Sequence, residues 1–207
     1  MLVAACFFAL LFLLDFLLRR ARRRGSGGLG QGFREPLSPP EQKLAGIQGE
    51  KDARVLINPV LREKDRLFMN VPIIVDGRRT ELDLVVVNSC GVFIIEVKSY
   101  AGRLIGGEND HEWVKFKTTE AGNTYEKRVK NPIRQVRRQV YLLARYLDYY
   151  GVRTWVKGYV ILLHGSSPVE SDALLNSSAD IDRAIHSRGR SVLDAKTIER
   201  ISSLLSE

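Results

Sequence analysis

Apolar residues are distributed differently in successive parts of this chain. Residues 2–18 form a nearly continuous apolar run, LVAACFFALLFLLDFLL, in which Asp15 carries the only charge. The stretch that follows is first basic and then rich in Gly, Ser and Pro, and from residue 41 onward runs at strand spacing alternate with segments at helical spacing. The pattern therefore predicts an anchor at 1–18, a basic and Gly/Pro-rich linker at 19–40 and a folded domain at 41–207.

Within the domain the pattern predicts the element order αβββ(ββ)αβ(β)α. Helices are predicted at residues 41–56, 133–150 and 195–205. Strands are predicted at residues 67–75, 82–88, 92–98, 103–105, 113–116, 157–163 and 191–193. Asp76-Gly77 predicts a hairpin after the first strand, and Pro132 suits the first position of a helix. We therefore expect a mixed α/β domain in which helices cover a central β-sheet.

The apolar run at the N-terminus has the features of a membrane segment. Its 17 residues make it a short span, because a bilayer core needs roughly 17–25 apolar residues. A cleaved signal peptide would carry positive residues before the run, and a buried core helix would have a polar face. Here the arginines of RRARRR follow the run directly at 19–24. The positive-inside rule then predicts a single-pass membrane protein whose domain lies on the cytoplasmic side.

Composition limits the chemistry that the domain can perform. Two cysteines cannot build a disulfide scaffold or a four-cysteine zinc site, and the three histidines lack short metal-ligand spacing. The net charge of +8 favours an anionic partner, either nucleic acid or an anionic membrane face. Half of that charge lies before residue 41. An anionic ligand of the domain therefore has to be argued from particular residues.

Three charged residues interrupt the apolar strands. Asp83 lies near the start of one predicted strand, and Glu96 and Lys98 lie on one face at the end of the next. A short connection makes these strands antiparallel neighbours, which brings the three side chains together. Two adjacent carboxylates repel each other unless a cation neutralises them, and Mg²⁺ typically uses one or two carboxylates. The pattern fits metal-dependent phosphodiester hydrolysis, and it also fits a salt bridge between Lys98 and a carboxylate at the rim of a sheet.

Several short motifs extend this pattern and resemble one known family. They are Gly49-Glu50, ELDLVVV at 81–87, GVFIIEVK at 91–98, Gly102, Gly106-Gly107, Trp113 and NPIRQ at 131–135. In identity and order they resemble the nuclease-related domain, NERD, of the PD-(D/E)xK nuclease superfamily, over roughly residues 42–205. The resemblance implies a restriction-endonuclease-like fold and dependence on Mg²⁺ or Mn²⁺.

The resemblance also implies roles for the charged residues. Asp83, Glu96 and the main-chain carbonyl of Val97 would hold the metal, and Lys98 would be the catalytic lysine. One departure from the superfamily pattern is that Leu82, and not proline, precedes Asp83. This difference leaves the carboxylate itself in place.

Each of the remaining candidate residues has a proposed functional role and a structural alternative. The resemblance implies that Glu50 and Gln135 reach the same site; otherwise Glu50 is a solvated helix residue and Gln135 makes a structural polar contact. Arg134 and Arg138 would bind substrate phosphates, or they belong to a solvated helix face. Trp113 would stack on a base or pack in the core.

These expectations combine into one function and one alternative. We expect a membrane-tethered nuclease that requires Mg²⁺ or Mn²⁺ and hydrolyses nucleic acid, with DNA as the expected substrate. The alternative is a non-catalytic nucleic-acid-binding or interaction module that keeps the nuclease fold. Only the first requires a divalent metal.

Overall fold

The structure is a computed structural model that describes residues 40–118, 124–166, 169, 171–187 and 192–206. The predicted anchor at 1–18 and nearly all of the predicted linker at 19–40 lie outside these ranges. Within them, none of the helices is both long enough and apolar enough to cross a membrane.

A mixed β-sheet flanked by helices forms the described domain, as predicted. The helices are α1 (Pro40–Ile57), α2 (Pro132–Tyr149), α3 (Ser178–His186) and α4 (Ala195–Leu205), with a short 3-10 turn at Asn58–Val60. The strands are β1 (Arg66–Val75), β2 (Arg78–Asn88), β3 (Gly91–Ile105), β4 (Glu112–Thr118), β5 (Thr124–Lys130), β6 (Val156–Ser166) and β7 (Leu174–Leu175). Strands β1 to β5 are antiparallel neighbours in chain order, while β6 runs parallel to both β3 and β7.

Strand β3 lies at the centre of the sheet and separates two apolar clusters. Val92 and Ile94 face the cluster formed with α2 and α4, whereas Phe93 and Ile95 face the cluster formed with α1 and α3. All four side chains are fully buried. The alternation follows from the two-residue period of a strand, so Glu96 comes next on the α2 side.

The turns beside this core follow from local sequence. Asp76 and Gly77 both adopt positive φ, at 51° and 74°, which gives the two-residue turn that joins β1 to β2. Helix α2 begins as predicted, with Asn131 as its N-cap and Pro132 in the first turn.

One predicted break in the sheet is wrong. The segments predicted separately at 92–98 and 103–105 belong to the single strand β3, which pairs with β6 in parallel from Val92↔Val156 to Arg103↔Ser166. The register shifts between Ser99 and Gly102, where polar and small residues interrupt the apolar pattern. A β-bulge of this kind keeps the strand continuous while its direction changes.

Three elements were not predicted from the sequence. Strand β5 has the polar sequence TYEKRVK and exposed side chains along nearly all its length, so it lacks apolar alternation. The other two unpredicted elements are strand β7 and helix α3, which lie between β6 and residue 188. The edge strand predicted at 191–193 is wrong, because described residues 192 and 193 are not in a strand; the Leu193 N–H donates to the Ser89 carbonyl instead.

Candidate active site

The end of the β2–β3 ladder brings the first carboxylate into place. The last paired residues are Leu84 and Ile95. Beyond this pair, the N–H of Val97, two residues after Ile95, donates a 2.8 Å hydrogen bond to Oδ2 of Asp83, the residue before Leu84. The Asp83 side chain therefore occupies the place of the next backbone acceptor, which fixes its position beside β3.

The pairing of β1 with β2 is interrupted opposite Asp83. Asn70 and Asp83 occupy opposite positions between the pairs Met69↔Leu84 and Val71↔Leu82 but are not themselves paired, and the φ of Asn70 is 52°. Asparagine tolerates this left-handed conformation better than most residues. The Asn70 side-chain amide donates to Oε2 of Glu50 at 3.1 Å, so this residue of β1 holds an acidic residue of α1.

Glu50 and Asp83 line the same small pocket. This pocket has a volume of about 200 Å³, and its lining also includes Gly49, Val97, Lys98 and Ser99. The structure therefore places Glu50 beside Asp83 and Lys98. Asn70 was not identified from the sequence, because its contact with Glu50 depends on how α1 packs beside β1.

Glu96 is fully buried on the α2 side and is held by three donors. The Lys98 ammonium and the Gln135 amide both donate to Oε1, the latter at 2.5 Å. The Gln139 amide donates to Oε2 at 2.6 Å. Burying a carboxylate is costly unless hydrogen bonds and an opposite charge replace its hydration, and these three groups supply both.

Gln139 is a residue of this site that sequence reasoning missed. Its side chain is buried, its Nε2 faces Glu96, and its Oε1 has no hydrogen-bond partner among the described residues. Rotating the amide would place Oε1 against a carboxylate oxygen, so the unpaired oxygen follows from holding Glu96. The available signal was an amide four residues after Gln135, at a position of α2 that is otherwise filled by buried apolar residues.

The charges of the site perturb one another. Burial raises the pKa of Asp83 from its ordinary value to about 6, and the Glu96 carboxylate adds to the rise. The Val97 N–H and the Lys98 ammonium lower the pKa of Asp83 without cancelling this effect. Burial alone would lower the pKa of Lys98, but its charge and hydrogen-bond interactions with Glu96 and the charge of Asp83 together outweigh burial, and the net effect raises the pKa of Lys98. Lys98 is therefore a firmly protonated ammonium, whereas Asp83 ionises at a cost.

The donor set fits a hard divalent cation. Asp83 and Glu96 each offer a carboxylate, and a cation beside them would relieve the repulsion that raises the pKa of Asp83. In the described part of the chain, no three His, Cys, Asp or Glu side chains are placed to hold a metal ion together. The fit therefore rests on two carboxylates, the number that Mg²⁺ typically uses. The Lys98–Glu96 ion pair is equally the salt bridge considered as the alternative.

A larger cleft borders the site on the α2 side. It has a volume of about 680 Å³ and is lined by Gln135 and Gln139 together with Arg134 and Arg138. Arg134 donates to the Asn109 carbonyl at 3.1 Å, so part of its donor capacity serves the β3–β4 loop. Arg138 makes no hydrogen bond or ion pair with any described residue. The structure therefore places both predicted substrate-binding arginines beside the two amides that hold Glu96.

The β3–β4 loop is held by Asn131 and Trp113. The Asn131 side-chain amide donates to the carbonyls of Gly107, Glu108 and Asp110, and its Oδ1 accepts from N–H groups in the first turn of α2. Trp113 is fully buried and donates through Nε1 to the Gly107 carbonyl at 2.8 Å. Trp113 therefore packs in the core, and stacking on a base is excluded in this arrangement.

A comparison with protein families gives one match. The family model described as "NERD: Nuclease-related domain" matches residues 45–163, which is more than half of the chain. The matched range begins in α1, ends in β6 and contains every residue assigned to the site above. Neither the comparison with curated proteins nor that with solved structures gives a match.

Proposed function

The chain belongs to the nuclease-related domain family, and we propose that it is a divalent-metal-dependent nuclease that hydrolyses phosphodiester bonds of DNA. The observation that carries the proposal is the meeting of Asp83, Glu96 and Lys98 where the β2–β3 ladder ends. A buried carboxylate with three donors is more than a rim salt bridge needs. Of its donors, Lys98 lines the small pocket, and Gln135 and Gln139 line the basic cleft.

The proposed metal is Mg²⁺, with Mn²⁺ as its substitute. Asp83, Glu96 and the Val97 carbonyl are the residues that would hold it, and when bound it would supply an attacking water of lowered pKa and neutralise charge on phosphoryl oxygens. The Val97 N–H keeps one Asp83 oxygen oriented, and Gln135 and Gln139 keep Glu96 oriented. The chain thus fixes both carboxylates before any ligand arrives.

Lys98 is the proposed catalytic residue of the chain itself. Its ammonium is mostly buried, protonated and beside both carboxylates. In this position it can orient the attacking water and stabilise the negative charge that develops on the phosphoryl oxygens. Glu50, which Asn70 holds beside the same pocket, would accept a proton or a hydrogen bond from that water.

The cleft is the proposed path of the nucleic acid. Arg134 and Arg138 border it within reach of the residues that hold Glu96, and guanidinium groups suit phosphate oxygens in geometry and charge. Contacts of this type position the strand and are independent of base sequence.

We also propose that the chain is tethered to a membrane, with the domain on the cytoplasmic side. The support is the apolar run at 2–18 and the arginines at 19–24, in the order that the positive-inside rule describes. Protease added outside sealed cells should leave the domain intact. Recovery of the full chain without detergent would contradict the anchor, and cleavage of the domain by external protease would reverse the topology.

The experiment that tests the nuclease is a cleavage assay of the full chain in detergent. Labelled double-stranded DNA, single-stranded DNA and RNA are each incubated with Mg²⁺, Mn²⁺ or EDTA. We expect cleavage with metal, none in EDTA, and loss of cleavage in Lys98→Met. The control is Lys196→Met, a lysine at an exposed position of α4. Binding of nucleic acid without cleavage under all conditions would favour the non-catalytic module instead.

A further inference from the structure

The cleft beside the site continues along α2. Thr80, Arg138 and Leu142 line both the cleft and a second hollow of about 410 Å³, so the two adjoin. Arg78 and Arg79, just after the β1–β2 turn, border this second hollow. The result is an elongated depression that starts at the residues holding Glu96 and ends at a hairpin.

One face of α2 forms the floor of this depression. Arg134, Arg138, Tyr141 and Arg145 follow one another at intervals of four, three and four residues, which places them on a single helix face. At 1.5 Å per residue, the distance along the axis from Arg134 to Arg145 is about 16 Å. Like charges four residues apart disfavour the helix by a few tenths of a kcal/mol, and no acid of α2 interrupts this stripe.

Most cations of the depression are not neutralised by the protein. Its basic residues are Lys130, Arg134, Arg138, Arg78, Arg79 and Arg145, and its acidic residues are Glu81, Glu112 and Asp76. Asp76 pairs with Arg145 at 3.1 Å, and Glu112 pairs with Arg128 outside the depression. In the ranges that the structure describes, Arg78, Arg79 and Arg138 have no hydrogen bond or ion pair. Three guanidinium groups therefore remain available to an anionic ligand, and a fourth, that of Arg145, is held by an exposed ion pair with Asp76, which a phosphate can replace.

We propose that this arginine trough, formed by Arg78, Arg79, Arg138 and Arg145, binds the phosphate backbone of the nucleic acid beyond the bond that is cut. This inference rests on the proposed function and adds a second, distal part to the binding site. Along α2 the trough extends from Arg138 to Arg145, a distance of about 10 Å at 1.5 Å per residue, which corresponds to roughly three nucleotide steps of a duplex strand at 3.4 Å each. The preferred substrate is therefore a polynucleotide that fills the trough, and not a dinucleotide that occupies the pocket alone.

The trough should act on binding and not on the chemical step. Contacts remote from the reacting phosphate are equally strong in the ground state and the transition state, so removing them raises KM and leaves kcat unchanged. Each lost phosphate contact also lowers the dependence of log K on log salt, by about 0.9 for duplex DNA and about 0.7 for a single strand. A group with only a structural role would change neither quantity in a protein that folds.

The test measures binding of the full chain in detergent with EDTA present, so that no cleavage is needed. The variants are Arg78→Gln/Arg79→Gln and, on a different element, Arg145→Gln. The controls are Arg153→Gln and Arg183→Gln, exposed arginines whose carboxylate partners lie outside the trough. The probes are labelled 20-mers of single-stranded DNA, duplex DNA and RNA, a dinucleotide, and detergent micelles that contain phosphatidylserine, each titrated at several salt concentrations.

We expect the double variant to bind a 20-mer at least about tenfold more weakly, with a salt slope reduced by about 1.8 for duplex DNA. Arg145→Gln should show half of that change in slope, and the controls and the dinucleotide should show none. The difference in affinity between the DNA and RNA 20-mers shows which backbone the trough prefers. If the folded variants bind nucleic acid with the same affinity and the same salt slope as the parent protein, the trough proposal is wrong and the nuclease proposal is unaffected.

Other outcomes separate the two proposals. Weakened binding in the variants of a protein that never cleaves would support the trough and contradict the nuclease. A parent protein that binds no nucleic acid would overturn both. Loss of binding to the phosphatidylserine micelles, with unchanged nucleic-acid binding, would overturn the trough in favour of an anionic membrane surface. If the double variant fails to fold, the affinity and salt slope of Arg145→Gln test the trough proposal.

Discussion

The side-chain amide of Gln139 donates a 2.6 Å hydrogen bond to Oε2 of Glu96, and both side chains are buried. The amide does this although its own Oε1 is left without a partner among the described residues. A leucine at this position would remove the unpaired Oε1, but it would leave Oε2 of the buried Glu96 without its donor. Gln139 is therefore best explained as a residue that positions Glu96.

Gln139→Met should weaken metal binding, because Glu96 loses the donor that fixes one of its oxygens. Loss of a group that orients a metal ligand typically costs about 10- to 100-fold in affinity. Calorimetric titration with Mg²⁺ and Mn²⁺ measures this, and Gln48→Met on the exposed face of α1 is the matched control. Metal affinity equal to that of the parent, in a variant that folds, would remove Gln139 from the site.

Asp83→Asn should stabilise the metal-free protein at neutral pH. Because the pKa of Asp83 is raised to about 6 in the folded state, ionisation opposes folding, and stability falls as pH rises from about 4 to about 6. Asparagine removes the charge and keeps an acceptor for the Val97 N–H. We expect a gain of about 1–3 kcal/mol at pH 7.5 and none at pH 4, measured by urea unfolding in EDTA. A loss at pH 7.5 would show that the Asp83 charge is stabilising.

Glu96→Gln should have the opposite effect on stability, although it should also abolish metal binding. Its carboxylate neutralises Lys98, and removing one partner of a buried ion pair typically costs about 3–5 kcal/mol. We therefore expect Tm in EDTA to fall for Glu96→Gln and to rise for Asp83→Asn. A fall in both variants, with no metal binding by the parent, would favour the salt bridge over the metal site.

Lys98→Met should separate catalysis from binding. The ammonium contributes most when charge develops on the phosphoryl group, so we expect cleavage to slow by about 100- to 1000-fold. Metal affinity should change little, because an ammonium is not a ligand. Single-turnover cleavage measures the rate, and nucleic-acid affinity is measured in EDTA. Unchanged cleavage would mean that Lys98 only pairs with Glu96.

Asn131→Ala should destabilise the domain more than loss of an ordinary cap. It removes the N-cap of α2 and three hydrogen bonds to the β3–β4 loop. We expect a loss above about 2 kcal/mol, compared with about 1 kcal/mol for Asp194→Ala, the cap of α4. Urea unfolding of both variants provides the comparison. Equal losses would show that the loop contacts contribute little.

The sequence predicted those parts of the fold in which apolar periodicity is strong. The bounds of α4 match the predicted 195–205, and the apolar strands β1, β2 and β6 were found within a few residues of their ends. Strand β5 was missed because its TYEKRVK sequence has no buried face to produce alternation. Its existence depends on pairing with β4, which local sequence does not encode.

The same division applies to the site. Asp83, Glu96 and Lys98 could be placed together because strand alternation and a short turn are local features. Asn70 and Gln139 could not, because the first acts through its contact with α1 and the second through the docking of α2 on β3. The sequence allows Trp113 either to stack on a base or to pack in the core, and the structure buries its side chain in the core.

The parallel pairing of β3 with β6 has a consequence for synthesis of the protein on the ribosome. Lys98 pairs with Leu162, a residue 64 positions later in the chain. At synthesis rates of about 5–20 residues per second, the strand that carries Glu96 and Lys98 waits about 3–13 seconds for its neighbour. During that interval its apolar edge has to be kept from other chains, so β3 is the segment that we expect chaperones to bind on the ribosome.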